Sequence, residues 1–62
     1  PYGIIIVHNH PSGETHPSHE DKEFTGKLIR SAADLGVVFH DHVIIGDGDY
    51  YSFAEAGLMA KL

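Results

Sequence analysis

The stretch that decides the fold is IIIVHNHPSG, residues 4–13. Its first part, Ile4 to His8, is a continuous apolar and mostly β-branched run, which is typical of a strand buried on both faces of a sheet. In its second part, Pro11 favours an extended conformation at the residue before it, and Ser12-Gly13 favours a turn. We therefore expect a strand that leaves the sheet through a loop lasting to about Pro17.

An amphipathic helix is predicted after this loop. Ser18, followed three residues later by Asp21, is close to a capping box and places an acid in the positive first turn of a helix. Apolar residues then recur at helical spacing, which predicts one face packed on a sheet. These residues are Phe24, Leu28, Ala32 and Leu35. Gly36 is expected to end the helix as the residue after its C-cap.

A second strand and a hairpin are predicted next. Val37 to Ile45 is apolar and β-branched apart from the polar residues 40–42, where we expect a bend. Asp47-Gly48 fits a two-residue hairpin loop, with residues 50–53 as the returning strand. A further capping pattern predicts a short helix from about residue 54 to residue 60.

The size of the chain limits it to one domain. At 62 residues it lies near the lower limit for a core without disulfides, metal or a partner. The sequence begins directly with a strand, so we expect residues 1–62 to be one partial α/β domain, ordered strand, loop, helix, strand, hairpin. No apolar run approaches the roughly 20 residues of a membrane helix. We expect a cytoplasmic protein with no membrane partner.

The amino-acid composition limits the kinds of ligand and partner that the chain can bind. Cysteine is absent, so any metal must be bound through nitrogen and oxygen. Nine Asp and Glu residues against four Lys and Arg residues give a net charge of −5, which disfavours direct binding of nucleic acid. Six histidines are a high count for this length, and imidazole is the commonest metal ligand in proteins.

A zinc site is predicted from the pattern H-x-H-x7-S-x-x-D. Alternate residues of a strand point the same way, so His8 and His10 can offer two imidazoles to one point, and Asp21 adds a carboxylate from the helix. Three protein ligands leave a fourth position for water, as in catalytic zinc sites, where the pKa of bound water falls toward roughly 7. The Ser18 hydroxyl could stabilise an oxyanion or cap the helix, and the two roles are compatible.

Several stretches around these residues carry a family resemblance. They are HNHPSG, Pro17-Ser18 before Asp21, Leu35-Gly36, Asp41-His42 before an apolar run, and GDGDYYSF before Gly57-Leu58. Together they resemble the C-terminal part of the RadC family of the JAB/MPN superfamily, over nearly the whole chain. The resemblance implies a mixed-sheet, cytidine-deaminase-like fold with His8, His10 and Asp21 as zinc ligands and Ser18 at the oxyanion. It also implies metalloprotease-like hydrolysis of a peptide or isopeptide bond.

One element of the family's site is missing from this sequence. The family's general base is a Glu on a strand upstream of the first residue here, so we expect the chain alone to bind zinc but to hydrolyse poorly. Glu14 and Glu20 lie near the motif, yet their spacing places neither beside the bound water. The alternative functions are a non-catalytic metal-binding interaction module and the DNA-repair role that the family label suggests.

Four residues are predicted to support the ligands. Hydrogen bonds from Asn9 and Ser12 would help to hold the loop, although loop geometry alone explains these residues equally well. Asp41 and His42 are expected to hydrogen-bond within the fold or to orient a ligand from behind. The weaker alternative is that His40 and His42 form a second metal site or join the ligands of the first one.

Other features have simpler interpretations. The tripeptide at residues 8–10 does not indicate an HNH nuclease, whose named residues are spread over a ββα hairpin. His16 and His19 are interpreted as solvated, and the aromatic residues 50–53 as hairpin packing rather than a base-stacking platform. An exposed edge of Ile and Val invites pairing. We therefore expect edge-strand self-association in addition to a peptide or isopeptide substrate.

Overall fold

The computed structural model describes residues 3–62 as a three-stranded sheet with one helix packed on one face. Its elements are β1 (Gly3–Asn9), α1 (His19–Asp34), β2 (Val38–Ile45) and β3 (Tyr50–Ser52), followed by a 3-10 turn at Met59–Lys61. The strand order is β1-β2-β3, in which β1 pairs parallel to β2 and β3 pairs antiparallel to β2. The predicted α/β class, mixed sheet and element order are confirmed.

Both ends of α1 are fixed by local sequence, as predicted. The Ser18 side chain accepts the backbone N–H of Asp21, and the Asp21 side chain accepts the backbone N–H of Ser18, which completes a capping box. At the other end Gly36 has a φ of 73°. The N–H groups of Gly36 and Val37 close back on carbonyls of the last helical turn at 3.2 and 2.8 Å. This is the glycine-ended Schellman arrangement.

The buried face of α1 differs from the prediction. Phe24 is 54% exposed and Leu35 is 78% exposed, so the prediction that they pack on the sheet is wrong. The face against the sheet is instead formed by Thr25, Leu28-Ile29 and Ala32, which also have helical spacing. Because the buried face contains the polar residue Thr25, the spacing of apolar residues alone did not identify it. Within residues 3–62 no helix has the length and hydrophobicity needed to cross a membrane.

Strand β1 is less buried than its composition indicates. Ile5 and Val7 are each 60% exposed, so the prediction of burial on both faces is wrong for the described chain. Burial on both faces requires a layer on each side of the sheet. Residues 3–62 supply one layer, the helix α1, and β1 is an edge strand of their sheet.

The predicted bend in β2 is a β-bulge at His40. Ile4 pairs with Phe39 and Ile5 pairs with Asp41, which leaves His40 without a partner in the ladder. The bulge resets the alternation of side chains. As a consequence His42 points into the core, where only 1% of its surface is exposed.

The hairpin forms where Asp47-Gly48 predicts it. The N–H of Gly46 donates to the carbonyl of Asp49 at 3.0 Å, and Gly48 takes the positive φ of 72° that the loop needs. The loop also lies against residue 13, since a Cβ at Gly46 would come within 2.3 Å of the Gly13 carbonyl oxygen. The hairpin therefore packs against the loop that carries the histidine motif.

The predicted terminal α-helix is wrong. Ser52 does accept the N–H of Glu55 at 3.1 Å, as a cap would. The Glu55 carboxylate, however, accepts the Tyr50 hydroxyl instead of returning to the cap backbone. Gly57 then takes a φ of 73°, which breaks the helical path, and only the 3-10 turn at Met59–Lys61 follows.

Candidate metal centre

Three side chains of the predicted motif lie around one point. The Nε2 atom of His8 is 3.6 Å from Oδ1 of Asp21, and Nε2 of His10 is 2.9 Å from Oδ2 of the same carboxylate. One donor atom from each residue lies within 4.8 Å of the other two. Among residues 3–62 this is the only group of three such side chains with that geometry.

Local structure brings these groups together. His8 lies at the end of β1, opposite Ile44 in the ladder. The N–H of His10 still donates to the Ile45 carbonyl at 3.2 Å, so the chain stays extended through both histidines and their rings share one side of the sheet. Asp21 is held in the first turn of α1 by its capping contact with Ser18.

The second ring nitrogen of each motif histidine, Nδ1, also has a partner. Nδ1 of His10 donates to the carbonyl oxygen of Glu14 at 2.7 Å, and Nε2 of the same ring lies 2.9 Å from Oδ2 of Asp21. Nδ1 of His8 lies 3.1 Å from Nε2 of His42. Both motif imidazoles therefore turn Nε2 toward the carboxylate.

The donor types suit zinc among other divalent metals. Tetrahedral zinc with nitrogen and oxygen ligands at about 2.0–2.1 Å places its donor atoms roughly 3.3 Å apart. The distances from imidazole to carboxylate, 2.9 and 3.6 Å, run to different oxygens of Asp21, and one donor atom of each residue lies within 4.8 Å of the other two. Imidazole nitrogen with carboxylate oxygen is also a ligand combination typical of zinc. The group is thus compatible with metal binding.

The electrostatics favour the metal-binding form of the carboxylate. Partial burial raises the pKa of Asp21, but hydrogen bonding with Ser18, the nearby His8 and the His10 contact outweigh it, and the pKa lies below its ordinary value. Asp21 is therefore ionised at neutral pH, as a ligand must be. Burial lowers the pKa of His42 and neighbouring His8 adds to the effect, so the His42 ring is neutral at that pH.

The loop residues predicted to assist the site have local roles. The Oγ of Ser18 accepts the Asp21 N–H at 3.1 Å, and the residue is exposed. The Oγ of Ser12 accepts the N–H of Glu14 at 3.3 Å. Asn9 is exposed, and in the described part of the chain no hydrogen bond joins its side chain or that of Ser12 to a motif residue.

The β2 residues predicted to assist the site take different roles. His42 reaches the motif directly through His8. Asp41 faces away and accepts the Ser52 hydroxyl at 2.5 Å and the Ala54 N–H at 2.9 Å. His40 is exposed at the bulge, and nothing in residues 3–62 supports a second metal site with His42.

Two contacts were missed by the sequence analysis. Thr25 is fully buried and its hydroxyl hydrogen-bonds Nδ1 of His42. Its position one helical turn after Asp21, on the same side of α1, was the available signal. The Glu14 carbonyl that holds His10 is a backbone acceptor, and residue type gives no indication of such a contact.

A family model described as RadC-like JAB domain matches residues 2–58. The chain belongs to this family. UPF0758 proteins are similar to this RadC-like chain at 56% identity over 52 residues in Streptococcus thermophilus and at 52% identity over 56 residues in Trichlorobacter lovleyi. These alignments cover 84% and 90% of the chain but 23% and 24% of the relatives, so the chain spans about a quarter of their length.

Proposed function

We propose that the full-length protein hydrolyses peptide or isopeptide bonds with a zinc ion held by His8, His10 and Asp21. The observation that supports this most directly is the convergence of two imidazole nitrogens and one carboxylate oxygen within 4.8 Å. When bound, zinc would supply a Lewis acid and acidify a water molecule in the position that three protein ligands leave open.

Contacts within the chain would hold the metal ligands in position. The Glu14 carbonyl fixes the ring of His10, and Ser18 fixes the carboxylate of Asp21 in its ionised form. The Ser18 hydroxyl accepts one backbone N–H and keeps its own hydrogen to donate. We assign that hydrogen to the oxyanion of a tetrahedral intermediate.

The general base is proposed to come from another part of the full-length protein. The carboxylate of Glu14 accepts the N–H of His16 at 3.1 Å and is turned toward its own loop. Glu20 is exposed on α1. Neither carboxylate contacts a motif histidine in the described residues, so the chain of residues 1–62 should bind zinc and hydrolyse poorly.

A full-length RadC-like protein that carries these residues tests the proposal. Hydrolysis of peptide and isopeptide substrates should be abolished by a chelator and by His8→Ala or Asp21→Ala. His19→Ala and Asp34→Ala, which alter exposed groups outside the motif, should retain activity. Activity no better than buffer on every substrate, or activity unchanged by His8→Ala, would contradict the proposal.

A metal-binding interaction module is the second candidate. The observation that favours it is the exposed apolar surface on the open side of the sheet, formed by Ile5, Val7 and Ile45. If this candidate is correct, zinc would bind and hydrolysis would be absent, while association through the sheet would persist when the motif is mutated.

Direct binding of duplex DNA is not part of the proposal. All four Lys and Arg residues line one shallow depression, which is formed by α1 and the C-terminal residues 61–62 and also contains Glu23. That depression favours a DNA-associated role, whereas the net charge of −5 opposes it. We propose a cytoplasmic peptide or isopeptide as the partner, and salt-dependent duplex binding would contradict this choice.

A further inference from the structure

Two buried polar side chains lie directly behind His8. Thr25 on α1 has no exposed surface, and His42 on β2 is 1% exposed. The Thr25 hydroxyl hydrogen-bonds Nδ1 of His42, and Nε2 of His42 lies 3.1 Å from Nδ1 of His8. A continuous chain of hydrogen bonds therefore runs from the helix, across the sheet, to the outer nitrogen of His8.

We propose that His42 and Thr25 are positioning residues that hold His8 in one tautomer and one ring orientation. The inference rests on the proposed function, because the tautomer matters only if Nε2 of His8 is a ligand. A neutral imidazole carries one N–H. When Nε2 of His8 offers its lone pair to a metal, Nδ1 carries the hydrogen and donates to Nε2 of His42. The N–H of His42 then lies on Nδ1 and donates to the Thr25 hydroxyl.

The His42 ring is itself held firmly. It stacks on Phe53, with ring centroids 4.6 Å apart and planes 9° from parallel. Asp41 accepts the backbone N–H of His42 at 2.8 Å and also binds Ser52 and Ala54, which fixes the turn that carries Phe53. Because His42 cannot turn freely and is buried, a hydrogen on its Nδ1 needs the Thr25 hydroxyl as acceptor. The hydrogen bond between Nε2 of His42 and Nδ1 of His8 then passes this preference to His8.

The matched variants are Thr25→Val, which removes the hydroxyl at nearly constant volume, and Thr25→Ser, which keeps it. Thr15→Val is the control for the same exchange away from the chain of hydrogen bonds. Calorimetric titration with zinc alone should show binding weakened about tenfold or more in Thr25→Val, as is usual when a contact behind a metal ligand is lost. Thr25→Ser and Thr15→Val should bind zinc like the original chain.

Imidazole nitrogen NMR supplies a readout that a merely structural role would not change. In the zinc-loaded chain we expect His8 and His42 each to show one tautomer with hydrogen on Nδ1. In zinc-loaded Thr25→Val the metal keeps His8 in that tautomer, and we expect a mixture for His42 alone. Equal zinc affinity with unchanged tautomers in Thr25→Val would overturn the proposal. If Thr25→Val does not fold, the tautomers of the original chain decide, and hydrogen on Nε2 of His42 overturns it.

Failure of the proposed function has a different outcome. If the original chain binds no zinc, the metal site is wrong, and the spectra of the zinc-free chain still test the positioning role. A single His8 tautomer that becomes a mixture in Thr25→Val supports positioning. A mixture already present in the original chain overturns it.

Discussion

Asp21 and Ser18 bind each other reciprocally at the start of α1. The Asp21 carboxylate accepts the Ser18 N–H at 2.9 Å through Oδ2, and the Ser18 hydroxyl accepts the Asp21 N–H at 3.1 Å. The same oxygen lies 2.9 Å from Nε2 of His10. The helix cap and the candidate metal centre therefore share one carboxylate, and the folding of the helix positions the ligand.

Loss of the cap should cost stability. Ser18→Ala removes the acceptor for the Asp21 N–H, and we expect the free energy of unfolding to fall by about 1 kcal/mol. Ser18→Asn keeps an acceptor and should lose less. Urea denaturation checks both values, with Ser31→Ala on the exposed side of α1 as the control. A Ser18→Ala chain as stable as Ser31→Ala would show that the cap does not contribute.

The phenol of Tyr50 should respond to its carboxylate partner. The hydrogen bond to Glu55, together with the negative charge of Glu55, raises the pKa of Tyr50 because both stabilise the protonated phenol. Glu55→Gln removes the charge, so the pKa of Tyr50 should fall toward its ordinary value. Ultraviolet titration measures this shift, and subtraction of the Tyr50→Phe signal isolates the residue. A pKa that is unchanged in Glu55→Gln would contradict the contact.

Self-association should depend on the exposed residues of β1. Ile5 and Val7 lie on an edge strand, so we expect concentration-dependent association that Ile5→Lys or Val7→Lys reduces. Phe24→Lys, at an exposed position on α1, is the control and should not change it. Sedimentation velocity measures the effect. If all three variants associate equally, the edge is not the interface.

Zinc affinity should fall in mild acid. Imidazole ligands must be neutral, so protons compete with the metal as the pH falls. Asp21 remains ionised over this range because its pKa lies below the ordinary value, and it should not cause the loss. Calorimetric titrations from neutral to mildly acidic pH measure the change. A constant affinity would exclude imidazole ligation.

The parts of the fold that sequence predicted correctly depend on neighbours in the chain. The capping box of Ser18 and Asp21, the end of α1 at Gly36 and the loop at Asp47-Gly48 each need only a few adjacent residues. The candidate metal centre was also predicted from residue spacing, because alternate residues of a strand and the start of the following helix bring three side chains to one region.

The incorrect predictions concern features that depend on contacts between residues far apart in the sequence. Phe24 has the right spacing for a buried face, but the sheet contacts the side of α1 that contains Thr25. The approach of Thr25 to His42 depends on the register of β2, which the bulge at His40 shifts. Hydrophobic periodicity indicates which residues share one face of a helix, but it does not indicate which face packs against the sheet.

X-ray absorption spectroscopy of the zinc-loaded chain tests the central claim most directly. We predict a four-coordinate zinc with two imidazole ligands and further oxygen ligands at about 2.0–2.1 Å, and the loss of one imidazole in His8→Ala. A spectrum without imidazole scattering, or one that His8→Ala and Asp21→Ala leave unchanged, would contradict a metal centre formed by His8, His10 and Asp21.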